Sequence, residues 1–276
     1  MRGAFGTMCS RMAGGVTRSC IRCLLTSGVR QASAANLFAH RLAIEGVDGM
    51  DLTYLRREAK RSGWVTSSGD IETVRSTAAR LGWQEVATRK GDPAVAELRP
   101  TNVDDAHPQS LSAIHGLGAQ PLHTDGAHLR RPPDLVILAA QEPSGTPTML
   151  WSSSAAASSS SKLTNPINPW LKIPAFMVGG LFVVRGGAET FLASAYSTLS
   201  GLRYDPGCMA PCDERARRAM QFFEDALTHA YRHEWSTASQ LLIIDNRSTL
   251  HARAAVDASD NGRVLRRVCF YIPEEK

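Results

Sequence analysis

The longest apolar stretches of this 276-residue chain, such as Pro174 to Val184, hold about half the residues a bilayer span requires. No integral membrane protein is expected. Cysteine is scarce too: six in a chain of this length do not make a disulfide scaffold. Cys20 and Cys23 form a C-x-x-C pair, but no second pair and no nearby His completes a zinc site. Cys208 and Cys212 flank a Gly/Pro-rich turn, and a reducing cytosol is their default setting. Excess charge is small, with 31 Lys plus Arg against 26 Asp plus Glu, or +5. Nucleic-acid binders concentrate basic charge; here it is spread along the chain beyond the amino end. That argues against a nucleic-acid partner and for a small anionic molecule. No repeat period is visible. What remains is an ordinary globular composition, 43% hydrophobic and 21% charged, at a length that suits one large β domain.

Residues 1–44 stand apart. Arg2, Arg11, Arg18, Arg22, Arg30 and Arg41 occur with no acid before Glu45, among many Ser, Ala and Gly. An organellar transit peptide has this composition; a loose extension, or a start assigned too far upstream, has it equally. The expected layout is a disposable extension over 1–44 and one domain over 45–276, placed in the cytoplasm or, on the transit reading, in mitochondria.

From Asp51 the pattern turns helical. Asp51 to Arg61 stops at Ser62-Gly63, and Asp70 to Leu81 follows, with Ser68 or Asp70 as N-cap and Ile71, Val74, Ala78 and Leu81 on one face. After Pro100 strands are expected at Leu135–Ala139, Thr148–Trp151, Leu181–Arg185, Gln240–Ile244 and Arg263–Ile272. Ser152 to Ser161 is almost all Ser and Ala and reads as a mobile loop. One strong helix, Asp213 to His229, interrupts the strands, with Ala216, Met220, Phe223 and Leu227 at helical spacing. Short punctuated strands with few helices predict a mainly β fold with flanking helices, a sandwich or jelly roll.

Chemistry concentrates in two places. In Gly116-Leu-Gly-Ala-Gln-Pro-Leu-His-Thr-Asp-Gly126, His123 and Asp125 are two residues apart, so on an extended strand both side chains face the same way. Much later, Leu241-Leu-Ile-Ile-Asp-Asn-Arg-Ser-Thr-Leu-His251 runs an apolar strand into a polar turn that delivers His251. Two His and one carboxylate make the facial triad that suits non-haem Fe(II). Past His251, Arg263 and Arg267 share one face of a strand while Arg266 points the other way. Two inward arginines call for anions, because isolated buried charge is prohibitive, and a dicarboxylate answers a guanidinium fork. Arginines facing solvent on an edge strand are the simpler alternative.

Taken in order, these motifs resemble the taurine dioxygenase family of Fe(II)/2-oxoglutarate-dependent oxygenases over roughly residues 70 to 275. The matching segments are His123-Thr-Asp125, a Thr in Gly145-Thr-Pro-Thr-Met-Leu-Trp151, Asp245 to His251, and Arg263 with Arg267. The resemblance implies a double-stranded β-helix and makes His123, Asp125 and His251 the iron ligands. It implies Arg263 and Thr148 as holders of the distal carboxylate of 2-oxoglutarate, with Arg267 at its keto-acid end or on an anionic substrate. The implied reaction consumes O2 and 2-oxoglutarate, releases succinate and CO2, and oxidises, by expectation hydroxylates, a small molecule. Two departures stand out. The Gly-to-Trp segment is one residue longer than usual, so Thr146 competes with Thr148, and the connection from Trp151 to Asp245 is short, so substrate identity does not carry over.

The same triad would also serve a zinc hydrolase, which leaves both arginines unexplained, or an inactive jelly-roll paralogue acting as a sensor. Among other candidates, His128, three residues after Asp125, is read as a loop residue, with a place facing the cavity as the alternative. His229 and His233 are read as a helix C-terminus. Arg203 of Arg203-Tyr-Asp205 is read as structural, and Trp151 and Trp235 as core aromatics.

Overall fold

The computed structural model describes residues 50–89, 91–108, 110–153, 173–174, 177–187, 189–260 and 262–273. The basic extension, the boundary at 44/45, the Cys20–Cys23 pair and the Ser/Ala tract beyond Ser153 lie outside them.

The chain enters as helix α1 (Leu52–Ser62), started by Asp51, whose carboxylate accepts from Tyr54 N, and stopped by Gly63. Strand β1 (Trp64–Ser68) follows. Helix α2 (Ile71–Arg80) is capped by Asp70, which accepts from the amides of Glu72 and Thr73. Ser68 therefore ends a strand rather than capping a helix. Strand β1, together with β2 (Gln84–Glu85) and β3 (Val95–Leu98), precedes Pro100. Strands were expected only after that proline. These three are short, half-buried edge or terminal pieces whose pairing partners lie far along the chain, so local pattern carries little of them.

The remaining elements are α3 (Ser112–His115), β4 (Leu135–Ala140), β5 (Ser144–Ser152), β6 (Leu181–Gly186), β7 (Glu189–Ser194), β8 (Tyr196–Ser197), β9 (Gly201–Leu202) and β10 (Met209–Pro211). Helix α4 (Glu214–Leu227), β11 (Tyr231–Trp235), β12 (Gln240–Asp245), β13 (Thr249–Arg253), a 3-10 turn (Ala258–Asp260) and β14 (Leu265–Tyr271) complete the chain. The large sheet runs β1-β12-β4-β14-β2, with β3 also on β14, and a second sheet runs β11-β5-β13. All their pairings are antiparallel.

Three apolar layers hold this together. Between the two sheets lie Val136, Leu138, Leu150, Trp235, Leu242, Ile244, Leu265 and Cys269. The alternate residues of the large sheet, among them Ile137, Ile243, Val268 and Phe270, pack against Leu52, Leu55, Ile71 and Val74 of the first two helices. That is why β4 and β12 read as unbroken apolar runs: both of their faces are covered. On the other side α4 buries Ala216, Ala219, Phe223 and Ala226 against Trp151, Leu250 and Ala252. Each such large side chain contributes about 1.5–3 kcal/mol by leaving water. The expected mainly β fold with flanking helices is present and fits a jelly roll. Helix α4 ends at Leu227 with Thr228 as its C-cap, and His229 N donates to Ala226 O at 3.0 Å to close the last turn; His233 instead sits on β11, buried. Trp151 and Trp235 are core residues, as expected.

Candidate metal centre and its cavity

Strand β13 places the first ligand. Leu250 and Ala252 pack toward α4, so the alternation turns His251 and Arg253 the other way. His123 joins β13 by an isolated antiparallel bridge. His123 N donates to His251 O at 2.9 Å and His251 N donates to His123 O at 3.0 Å. The two imidazole centroids are then 4.5 Å apart. Asp125 completes the set: one ligand atom from each of His123, Asp125 and His251 lies within 4.8 Å of the others.

Asn246 positions the carboxylate. Its Oδ1 accepts from Asp125 N at 3.1 Å, while its Nδ2 donates to Asp125 O at 3.0 Å and to Pro133 O at 2.9 Å. Thr124, between the two ligands, donates its N–H to Tyr204 O at 2.6 Å and accepts from Tyr204 N on its hydroxyl at 3.2 Å. Arg203 fastens the following loop by donating to the carbonyls of Ala127, Leu129 and Arg130. Its expected structural role is what the geometry displays.

The donor chemistry fits a divalent ion. His123 Nδ1 lies 3.1 Å from Pro121 O, a contact that as a donor leaves Nε2 free as a ligand. Asp125 Oδ2 and His251 Nδ1 are buried with no hydrogen-bond partner among the described residues. His251 Nε2 is 3.5 Å from Asp125 Oδ2. Burial, and then the neighbouring His123, push His251 down to about 3 against the pull of Asp125, so the imidazole is a neutral lone-pair donor at neutral pH. Burial alone would oppose ionisation of Asp125, but Arg267 and both imidazoles hold its pKa below the ordinary carboxylate value. A carboxylate and two imidazoles converging on one point form a ligand set that a divalent cation suits.

The triad opens into a cavity of about 530 Å³ that Thr148, Arg263 and Arg267 also line. On β14 the inward face carries Leu265, Arg267 and Cys269; Arg266, on the opposite face, bonds Glu72 of α2 at 2.7 Å. The predicted division of the three arginines is therefore observed. Arg263 lies just ahead of β14 rather than within it, on the chain leaving the 3-10 turn. Asp260 of that turn ties it to β5, accepting from Ser144 Oγ at 2.7 Å and Thr146 N at 2.9 Å. Burial, reinforced by Arg253, lowers the Arg263 pKa to about 10, and its Nε has no partner among the described residues. Thr148 faces the cavity with its hydroxyl accepting from Trp235 Nε1 at 3.1 Å; Thr146 is buried but not part of the lining.

Arg267 lines the same cavity beside the triad: its Nη1 pairs with Asp125 Oδ1, and its Nη2 donates to Thr88 Oγ1 at 2.9 Å. His128 lines the cavity, the alternative to the plain loop position expected for it.

Several site residues escaped sequence reasoning. Asn246 stood inside the quoted Asp245–His251 segment, where its only signal was a polar residue closing an apolar strand. Arg253, whose Nη2 donates to Gly116 O and Gly118 O, was likewise on the strand of His251. Thr88 and Arg89 come from the segment after α2 and carry no local signal.

The antiparallel sandwich brings together a His-Asp-His set that could hold one metal ion. Residues 184–269 match the taurine catabolism dioxygenase TauD, TfdA family. The fold is shared with asparagine oxygenase in complex with Fe(II), 2S,3S-3-hydroxyasparagine and succinate, at 17% identity and TM-score 0.58, over 79% of this chain and 77% of that one. It is shared with the non-heme iron oxygenase OrfP in complex with Fe and alpha-ketoglutaric acid, at 17% identity and TM-score 0.57, over 80% and 79%. The PvcB (PA2255) protein from Pseudomonas aeruginosa aligns at 18% identity and TM-score 0.54, over 82% and 83%. No curated protein matches the chain. Motif order, the triad and the match over residues 184–269 make the chain similar to the taurine dioxygenase family.

Proposed function

We propose that the chain is an Fe(II)- and 2-oxoglutarate-dependent dioxygenase that oxidises a small molecule. The observation that carries this reading is the convergence of His123, Asp125 and His251 at one end of a cavity that also holds buried Arg263. In this reading the three residues hold Fe(II), which when bound supplies the site where a keto acid and dioxygen meet for decarboxylation coupled to substrate oxidation. Arg263 receives the distal carboxylate of 2-oxoglutarate: a buried guanidinium whose Nε has no partner among the described residues is complementary to it. The Thr148 hydroxyl, held by Trp235, adds a donor beside that carboxylate. Asn246 and Arg203 keep the Asp125 segment in place, so the carboxylate is oriented before any ligand arrives. Arg267 neutralises Asp125 or passes to an incoming anion.

For substrate, the same cavity presents Arg89 with Asp92 at 3.7 Å, and Asp205, which suits a small anionic or zwitterionic molecule. The amino-acid products bound in the asparagine oxygenase and OrfP structures support that class.

The test is an anaerobic titration of Fe(II)-loaded protein with 2-oxoglutarate, followed by the visible charge-transfer band of the chelate. Wild type is expected to develop the band. Arg263→Ala should weaken 2-oxoglutarate by a few hundred-fold, since losing one member of a buried charge-assisted pair costs about 3–5 kcal/mol. Arg266→Ala should change little, because its side chain is on the other face. No band in the wild type would remove the co-substrate; an equal band in Arg263→Ala would move the anchor to Arg267.

A further inference from the structure

Arg253 is buried and lines the metal cavity, and the reaction read there gives it no role. Strand β13 sets it two residues past His251, on the same face. In the register of β13 against β5 it stands directly opposite Thr148. Opposed residues carry their side chains on one face, about 4.5–5.5 Å apart at Cβ, so guanidinium and hydroxyl enter the cavity side by side. Arg263 is a close neighbour: after burial, the charge of Arg253 is what holds its pKa down. Burial lowers the pKa of Arg253 as well. Two guanidinium groups that repel each other in a desolvated recess are stabilised by an anion they can share. A staple for the chain is the plainer role. Nη2 donates to Gly116 O and to Gly118 O, fastening the turn that leads to His123. That occupies one nitrogen and offers a charge only neutral carbonyls. Nε stays buried with no hydrogen-bond partner among the described residues, as does Nε of Arg263.

We propose that Arg253 is a second guanidinium of the co-substrate pocket, so that Arg253 and Arg263 together grip the distal carboxylate of 2-oxoglutarate beside the Thr148 hydroxyl. This rests on the reading of the cavity as a 2-oxoglutarate site and goes beyond it in giving Arg263 a partner. A carboxylate has two oxygens and about four lone-pair sites, enough to accept from both guanidinium forks. Its bonds to the Gly116–Gly118 turn fix Arg253 in place before any ligand arrives. The consequence is selectivity. A keto acid ending in a carboxylate is preferred to one of equal length ending in a methyl group, which would leave both cations desolvated and without an anion.

The experiment is an anaerobic titration of the Fe(II)-loaded full-length chain with 2-oxoglutarate and with 2-oxovalerate, in which a methyl group replaces the distal carboxylate. Both carry the keto-acid end that gives the visible band. Arg253→Met should weaken 2-oxoglutarate roughly ten- to hundredfold, as loss of a charged hydrogen bond does, and leave 2-oxovalerate nearly unchanged. Arg253→Lys keeps the charge and a donor for the turn, and is the variant to read if Arg253→Met does not fold. Its loss should be smaller and should again fall on 2-oxoglutarate alone. Equal weakening of both keto acids would make Arg253 a staple only and overturn the proposal. So would a wild-type band that Arg263→Ala weakens and neither Arg253 variant does, which leaves the co-substrate reading standing. A wild type without a band removes that reading and this inference with it.

Discussion

Asn246 shows how much one neutral side chain can hold. It is fully buried and spends its amide on Asp125 N, Asp125 O and Pro133 O, joining the turn after β12 to the metal-binding segment. Asn246→Ala strands three buried backbone groups, at about 1–3 kcal/mol for each left unsatisfied. Expected is a loss of several kcal/mol in urea unfolding of the metal-free protein, with weaker Co(II) binding measured by its visible spectrum. Unchanged Co(II) affinity would remove the positioning role. His233 is the other residue with a measurable signature. It is buried, its Nε2 has no partner among the described residues, and burial pushes its pKa down to about 4 from 6.5. The unfolded chain therefore takes up the proton first, so this group's contribution is fully present above pH 6.5 and is lost as pH falls toward 4. The shift of about 2.5 units corresponds to about 3 kcal/mol. Below pH 4 there is no further loss. His251 adds a parallel slope in metal-free protein, so the measurement is the difference between wild type and His233→Phe, whose stability should fall less steeply from pH 6.5 to 4.

At the scale of elements, the ends of the first two helices differ in a way their sequences do not reveal. Both are followed by Gly with positive φ, +95° at Gly63 and +71° at Gly82. A Cβ at Gly63 would meet Ser152 Oγ of β5 and come within 2.6 Å of Thr249 Oγ1 of β13, whereas at Gly82 nothing lies within 4 Å. Gly82→Ala should cost about 1–2 kcal/mol, the ordinary penalty of a left-handed L residue. Gly63→Ala must also push α1 off the second sheet, and should cost clearly more, about 3 kcal/mol or above. Equal melting temperatures for the two variants would sink the argument. The strands obey the same logic. Unbroken apolar β4 and β12 were legible because they are covered on both faces, but β1, β2 and β3 were not, since their partners lie far away in sequence.

For the whole molecule, the metal centre joins the two sheets' closing segments. His251 is on β13, Asp125 is held by the turn after β12, and Arg267 rises from β14. A ligand of the native triad that the unfolded chain binds poorly must therefore stabilise the entire domain by mass action. At a free concentration 100 times its dissociation constant, the gain is about 2.7 kcal/mol. Anaerobic Fe(II) should raise the melting temperature, a chelator should reverse it, and Asp125→Ala should abolish the shift. A full shift in Asp125→Ala would place the ion elsewhere.

His123, Asp125, His251, Arg263, Arg267 and Thr148 were all legible as candidates, because ligand types, their order along the chain and the two-residue period of strands are properties of the sequence itself. So was the cap at Asp70, where a short carboxylate meets free amides of the first turn. Tertiary structure decided the rest. That Thr148 rather than Thr146 reaches the cavity depends on the register of β5 against β13. That Arg267 pairs with Asp125 depends on two segments 142 residues apart meeting across the sheets. Asn246, Thr88 and Arg253 are likewise products of long-range meeting: each residue is ordinary in its own stretch of chain and acquires its partners only when folding closes loops longer than any local pattern spans.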